Sequence, residues 1–164
     1  MKGTLLNSKV VETLNYRIQQ EEDSARLYEQ MSLWFNNYGY LNLSELYKKY
    51  AEEEMKHAGW SKSYLLDYGY TPELRQLKLQ DNTFESCQQI FEMTLEHELD
   101  VTRQCEELAT MALKENNHVL YALASKYCGE QQEEIGKAVT NLDIAKLTSD
   151  MLILDNYIGE KILG

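Results

Sequence analysis

Residues that favour turns are scarce in this sequence: its 164 residues include one proline and eight glycines. A β-rich fold needs many tight turns, which glycine and proline usually supply, so long helices are the expected elements. Hydrophobic residues make up 43% of the chain and charged residues 26%, which is enough apolar material for a buried core and untypical of disorder. The composition therefore predicts one helical domain over residues 1–164.

Three further absences exclude classes of protein. No stretch approaches the roughly 18 consecutive apolar residues of a membrane-spanning helix, and Met1–Leu6 lacks the apolar run of a signal peptide. Cys87, Cys105 and Cys128 form no CxxC pair, which is typical of reduced thiols in the cytoplasm. Basic residues number 16 against 27 acidic ones, and the net charge of −11 disfavours nucleic acid and attracts cations. We therefore expect a cytoplasmic protein that binds neither nucleic acid nor a membrane.

Four long segments have helical periodicity, and a shorter amphipathic segment follows them. Asn36–Gly39 and Asn116–Asn117 are stop signals, Glu45 lies three residues after Asn42 as in a capping box, and Thr148 is placed to cap the last segment. The first and third connections are short and the middle one is long, which is the connectivity of a four-helix bundle with one crossover. The predicted helices are 8–35, 42–68, 83–115, 117–145 and 149–162.

Each long segment has a stripe of apolar residues at helical spacing that carries glutamate near its middle. Such a carboxylate has two bland explanations: the stripe is out of phase by one residue, or the side chain reaches solvent at the edge of the bundle. Polar residues at mid-length in all four stripes favour metal ligands, because a buried carboxylate must be paired, protonated or bound to metal. No lysine or arginine lies on these stripes to act as the partner. The polar residues are Glu21 in the first stripe, Glu54 and His57 in the second, Glu98 in the third, and Gln131 and Glu134 in the fourth.

The spacing of these residues repeats in the two halves of the chain. Glu21 precedes Glu54 by 33 residues, and Glu98 precedes Gln131 by the same interval. His57 follows Glu54 at i+3, and Glu134 follows Gln131 at i+3. Di-iron carboxylate bundles use one Glu from each of two helices and Glu-x-x-His from the other two; here the second half has Gln-x-x-Glu instead.

The ligand types indicate which metal the site would hold. Four carboxylates would neutralise two divalent ions, and oxygen-rich ligation with one imidazole suits iron or manganese better than structural zinc. Tyr28 lies on the face of Glu21 and could donate a hydrogen bond or an electron, or it is a core aromatic. Glu53, Glu130 and Glu133 together with Glu134 form either a third, weaker metal position or a solvated acidic face.

The sequence resembles the bacterial-type non-haem ferritins over nearly its whole length. The motifs that carry the resemblance are Leu14–Glu21, Leu27–Trp34, Ala51–His57, His97–Glu98 and Glu130–Glu134. The resemblance implies an all-α, ferritin-like four-helix bundle with one long crossover plus a short fifth C-terminal helix. It also implies a shell of twenty-four subunits that oxidises Fe²⁺ with O₂ or H₂O₂ and stores the ferric product as a mineral.

The same resemblance assigns roles to the candidate site residues. The first iron would be bound by Glu21, Glu54 and His57, and the second would share Glu54 and use Glu98 and Glu134, with Gln131 adjacent. A third iron position maps onto Glu53, Glu130, Glu133 and Glu134.

Bacterioferritin is the alternative, because Met55 lies in a segment similar to the one whose methionine binds haem between bacterioferritin subunits. The second half of this chain lacks the second Glu-x-x-His of bacterioferritin, so we expect two irons per subunit and no haem.

Overall fold

The structure is a computed structural model and describes residues 5–164. Among these residues there is no strand, and none of the helices is both long and apolar enough to cross a membrane. The helices are α1 (Ser8–Asn37), α2 (Leu41–Asp67), α3 (Cys87–Lys114), α4 (His118–Lys146) and α5 (Met151–Ile158), and a π-helical turn (Gly159–Leu163) follows α5.

Side chains at the helix starts explain where the predicted boundaries were wrong. Helix α3 begins at Cys87, four residues after the predicted start, because the Ser86 side chain accepts a hydrogen bond from Gln89 N and caps the helix. Helix α5 is capped by Asp150, whereas Thr148 accepts a hydrogen bond from Asp150 N.

Residue contacts divide the chain into two compact units, so a single domain over residues 1–164 stays a prediction. One unit contains the chain up to Leu33 and residues Ser44–Asn82, and therefore most of α1 and α2 and the crossover. Ser32 Oγ donates to Ser44 O over 2.7 Å, and the Tyr28 and Tyr47 rings meet edge to face. These pairs come from the end of α1 and the start of α2, as expected of antiparallel neighbours joined by a short loop.

The crossover, residues 70–86, has no regular secondary structure, and polar side chains of α1 satisfy part of its backbone. These side chains recur every three or four residues, so they lie along one face of α1. Asn15 Oδ1 accepts from Glu73 N (2.9 Å), Asp23 Oδ1 accepts from Lys78 N (2.8 Å), Gln19 Nε2 donates to Gln76 O (2.9 Å), and Glu12 forms an ion pair with Arg75.

The other unit contains Trp34–Leu43 and Thr83–Gly164, and in it α3 packs along α4. Helix α5 also contacts the beginning of α2 through the buried Asp155. Asp155 Oδ1 accepts a hydrogen bond from Leu43 N at 2.9 Å, and Oδ2 accepts one from the side chain of Asn42 at 3.1 Å. An acidic side chain from another helix thus satisfies an N-terminal amide of α2, which its own helix cannot pair.

The predicted core stripes are confirmed at nearly every position. All stripe residues of α3 and α4 are buried, and in α1 and α2 only the stripe residues Val11 and Tyr50 are half-buried. The predicted stripes are Val11, Leu14, Ile18, Glu21, Ala25, Tyr28 and Ser32 in α1; Leu43, Tyr47, Tyr50, Glu54, His57, Ser61 and Tyr64 in α2; Cys87, Phe91, Thr94, Glu98, Val101, Cys105, Leu108 and Ala112 in α3; and Leu120, Ala124, Tyr127, Gln131, Glu134 and Ala138 in α4. The polar residues at the middle of each stripe are therefore inside the protein and not on a solvated face.

Candidate metal centre

Three candidate ligands come together in the unit formed by α1 and α2. Glu54 and His57 lie one helical turn apart on α2, and Glu21 lies on the facing side of α1. All three side chains are buried, with exposures of 0% for Glu21, 2% for Glu54 and 4% for His57. Each offers one ligand atom, and these three atoms all lie within 4.8 Å of one another.

The distances between these atoms fit an ion better than direct hydrogen bonds. His57 Nδ1 is 3.5 Å from Glu54 Oε2 and 3.8 Å from Glu21 Oε2, beyond the usual hydrogen-bond range. Two ligand atoms each about 2.1 Å from a shared ion are separated by about 3.0–4.2 Å. The two carboxylates and the imidazole are therefore spaced as ligands of one cation.

The Glu21 carboxylate is the most deeply buried group of this cluster. Both of its oxygens are buried, and neither accepts a hydrogen bond of normal geometry from residues 5–164. Its cationic neighbour is Arg17, whose Nε lies 2.8 Å from Glu21 Oε1. A buried carboxylate with one oxygen beside a guanidinium and the other directed at an imidazole is suited to binding a cation.

Arg17 overturns one step of the sequence analysis. No basic partner was expected for the stripe glutamates, yet Arg17 is buried and precedes Glu21 by four residues. It was missed because it lies beside Ile18, one position off the stripe. A search for a basic residue at i−4 from each buried glutamate would have found it.

The second unit contains the other predicted candidates. Glu98 on α3 and Gln131 and Glu134 on α4 are buried, as predicted. Gln131 Nε2 donates to Glu98 Oε2 over 2.8 Å and lies 3.3 Å from Glu98 O. The amide of Gln131 thus orients one oxygen of Glu98 and leaves the other to a further partner.

The residues predicted for a third metal position are less buried. Glu53 and Glu130 are half-buried and Glu133 is exposed. Such carboxylates stay hydrated and bind a cation more weakly than buried ones, and their role as ligands stays a prediction.

Aromatic rings pack against one another in the unit that contains the first cluster. Tyr28 is buried, and its ring packs edge to face against Tyr47 and Tyr50, each at 5.9 Å between centroids. Sequence reasoning missed Trp60, whose ring centroid is 4.7 Å from that of His57; its position at i+3 from His57 was the available signal.

Met55, the residue of the haem alternative, lies outside the buried cluster. It is 48% exposed and lines an open groove of about 550 Å³ on the α1–α2 unit, together with Arg26, Glu29, Lys48 and Glu52.

Comparison with known proteins agrees with the resemblance. The Ferritin-like domain family matches residues 11–147. A bacterial non-heme ferritin of Escherichia coli O6:H1 is 28% identical over 130 residues, 79% of each chain. A bacterial non-heme ferritin of Campylobacter jejuni is 28% identical over 158 residues, which cover 94% of this chain and 95% of that one.

Solved structures extend the match to the fold. An open pore ferritin from the archaeon Archaeoglobus fulgidus superposes with a TM-score of 0.90 at 28% identity, covering 95% of this chain and 98% of the other. A humanized archaeal ferritin gives a TM-score of 0.91 at 30% identity over similar shares, 95% and 98%. The fold is therefore the predicted all-α, ferritin-like four-helix bundle with one long crossover and a short fifth helix. The match over residues 11–147 shows that the chain belongs to the ferritin-like domain family, with bacterial non-haem ferritins among its relatives.

Proposed function

We propose that the protein is an iron-storage ferritin with ferroxidase activity. It binds Fe²⁺ as substrate, oxidises it with O₂ or H₂O₂, and stores the ferric product as a mineral inside a shell of twenty-four subunits. Each Fe²⁺ gives up one electron, so two ions reduce O₂ to H₂O₂, or H₂O₂ to water, with uptake of two protons. The three cysteines form no disulfide with one another, which is consistent with a cytoplasmic protein.

The buried cluster of Glu21, Glu54 and His57 carries this proposal. In it, two carboxylates and an imidazole bind the first Fe²⁺ inside one subunit. Burial keeps water from screening the carboxylates, so a divalent cation is attracted more strongly than at the surface. Mixed oxygen and nitrogen ligation also avoids the very tight thiolate binding that would hinder release of the product.

The proposed second iron position uses residues of the second unit. Glu98 and Glu134 bind the second iron, and Gln131 holds Glu98 in position through the hydrogen bond to its Oε2. Tyr28, buried on the same face of α1 as Glu21, serves in this proposal as a hydrogen-bond or electron donor. Glu53, Glu130 and Glu133 would pass iron away from the pair through weaker, hydrated contacts.

Replacing the ligands of the first iron tests the function. Glu54→Ala and His57→Ala should each abolish the fast initial phase of ferric absorbance when Fe²⁺ is mixed with O₂. Glu52→Ala is the matched control, because Glu52 is an exposed carboxylate on the same helix. Anaerobic Fe²⁺ titration should show two tight sites per subunit in the unsubstituted protein. An unchanged initial rate in both ligand variants would falsify the assignment.

A further inference from the structure

A buried arginine beside a proposed iron ligand is unusual, because its cost must be offset by its partners. Arg17 is 3% exposed, and its guanidinium stays charged at every physiological pH. It lies one turn before Glu21 on α1, with Nε 2.8 Å from Glu21 Oε1. A charge buried there acts on the cluster with little screening by water.

The two oxygens of the Glu21 carboxylate have different neighbours. Oε1 is next to Arg17, whereas Oε2 is the atom 3.8 Å from His57 Nδ1. Glu21 therefore presents Oε2 to the cluster, and the ion pair of Oε1 with Arg17 holds the carboxylate in that orientation. A carboxylate fixed in this way binds an ion through a single oxygen.

The charge of Arg17 also changes how strongly the cluster binds Fe³⁺ compared with Fe²⁺. Glu21 and Glu54 contribute two negative charges and Arg17 returns one positive charge, so the three groups carry −1 when His57 is neutral. Oxidation adds one positive charge to the bound ion while these side chains are unchanged. Since Coulomb repulsion is proportional to charge, Arg17 repels Fe³⁺ half again as strongly as Fe²⁺.

We propose that Arg17 is a positioning residue that fixes Glu21 as a single-oxygen ligand and, through its charge, promotes the release of trivalent iron from the first iron position. This inference rests on the proposed function, because it assumes that the cluster binds iron. A site of this kind must bind Fe²⁺ as substrate and then release Fe³⁺, the same element, as product. The inference is that the charge of Arg17 favours this release.

Redox-inert probe ions test this without any turnover. Co²⁺ represents the divalent substrate, and its visible absorption reports binding to His57. Tb³⁺ represents the trivalent product, and Trp60 would sensitise its emission, since the ring of Trp60 is next to that of His57. Both ions are titrated into the unsubstituted protein and into the variants Arg17→Gln, Arg17→Lys and Arg26→Gln. Arg26 is the matched control, an exposed arginine on the same helix.

The charge argument predicts unequal gains in affinity. If Arg17→Gln tightens Co²⁺ binding about tenfold, the 3:2 ratio of ion charges implies a gain of about thirtyfold for Tb³⁺. Arg17→Lys keeps the charge and should stay within about threefold of the unsubstituted protein for both ions, and Arg26→Gln should change neither. Arg17→Gln leaves the buried Glu21 without its cationic neighbour, so this variant is refolded with the metal present. The rise in Tm that each metal produces then gives a second measure of its affinity.

Failure of the inference can be told apart from failure of the proposed function. Normal binding of both ions with no change in Arg17→Gln, or equal gains for Co²⁺ and Tb³⁺, would overturn the role of Arg17 alone. If the unsubstituted protein shows no Co²⁺ or Tb³⁺ signal that Glu54→Ala removes, the proposed iron site itself is wrong.

Discussion

The thiols of the chain differ in how readily they can lose a proton. Burial, reinforced by the negative charge of Asp155, raises the pKa of Cys87 to about 12. Cys128 is half-buried, and burial and the nearby Glu106 also raise its pKa above the ordinary value. Because the thiolate is the nucleophile, Cys87 is expected to be nearly inert although it lines an open groove of about 430 Å³.

Alkylation by iodoacetamide tests this difference. At pH 8 about one Cys87 side chain in ten thousand would be a thiolate in the folded protein, so peptide mass spectrometry should find Cys128 labelled well before Cys87. The labelling rate of Cys87 should still rise about tenfold per pH unit up to pH 10, because its pKa lies higher still. Labelling after denaturation, which should reach all three cysteines, is the control. Equal rates for Cys87 and Cys128 in the folded protein would contradict the prediction.

At the residue scale the sequence predicted that the candidate ligands are buried, but not their surroundings. Glu54 and His57 could be found because a polar pair inside an apolar stripe stands out at helical spacing. Arg17 could not be found from the same stripe, and neither could the division of the oxygens of Glu21, which depends on side-chain geometry. The partner of Asp155 also lies far away in sequence, so no local pattern reveals it.

The crossover is held in place by hydrogen bonds to α1 and not by regular hydrogen bonds within its own backbone. Its backbone amides at Glu73 and Lys78 donate to Asn15 and Asp23 of α1. The sequence predicted a long connection between the second and third helices. It could not predict the bonds to α1, because these depend on how the segment lies on the helix.

Substitution of Asn15 should therefore loosen the crossover without unfolding α1. In Asn15→Ala the amide of Glu73 loses its acceptor, and its hydrogen exchange should become about tenfold faster, as expected from the loss of one hydrogen bond. Asp23→Ala should do the same for Lys78. Thr13→Ala is the control on α1, since the Thr13 hydroxyl donates to Lys9 O within its own helix. Faster exchange throughout α1 in Asn15→Ala would indicate a general loss of stability instead.

At the scale of the whole molecule the proposed shell gives the net charge a purpose. The chain carries −11, and many copies in one shell would create a field that attracts Fe²⁺ and weakens as salt is added. The buried carboxylates proposed as ligands account for a few of these charges, and the exposed carboxylates contribute the rest of the field.

The assembly itself is directly measurable. Light scattering after size-exclusion chromatography should give a mass near twenty-four times 19.2 kDa. The number of subunits should be the same with and without Fe²⁺ under anaerobic conditions, because the proposed iron centre lies within one subunit and no mineral forms without an oxidant. A stable monomer or dimer at micromolar concentration would rule out the shell while leaving the intrasubunit site intact.

The contact between Asp155 and the start of α2 has a consequence for the order in which the chain matures on the ribosome. Leu43 N and its acceptor are 112 residues apart, so the amide is synthesised long before the side chain that pairs it. Until α5 emerges, the first turn of α2 depends on water or on a temporary partner. Completion of this helix therefore waits for α5 to be translated, and a nascent chain stalled before Asp155 would carry a frayed second helix.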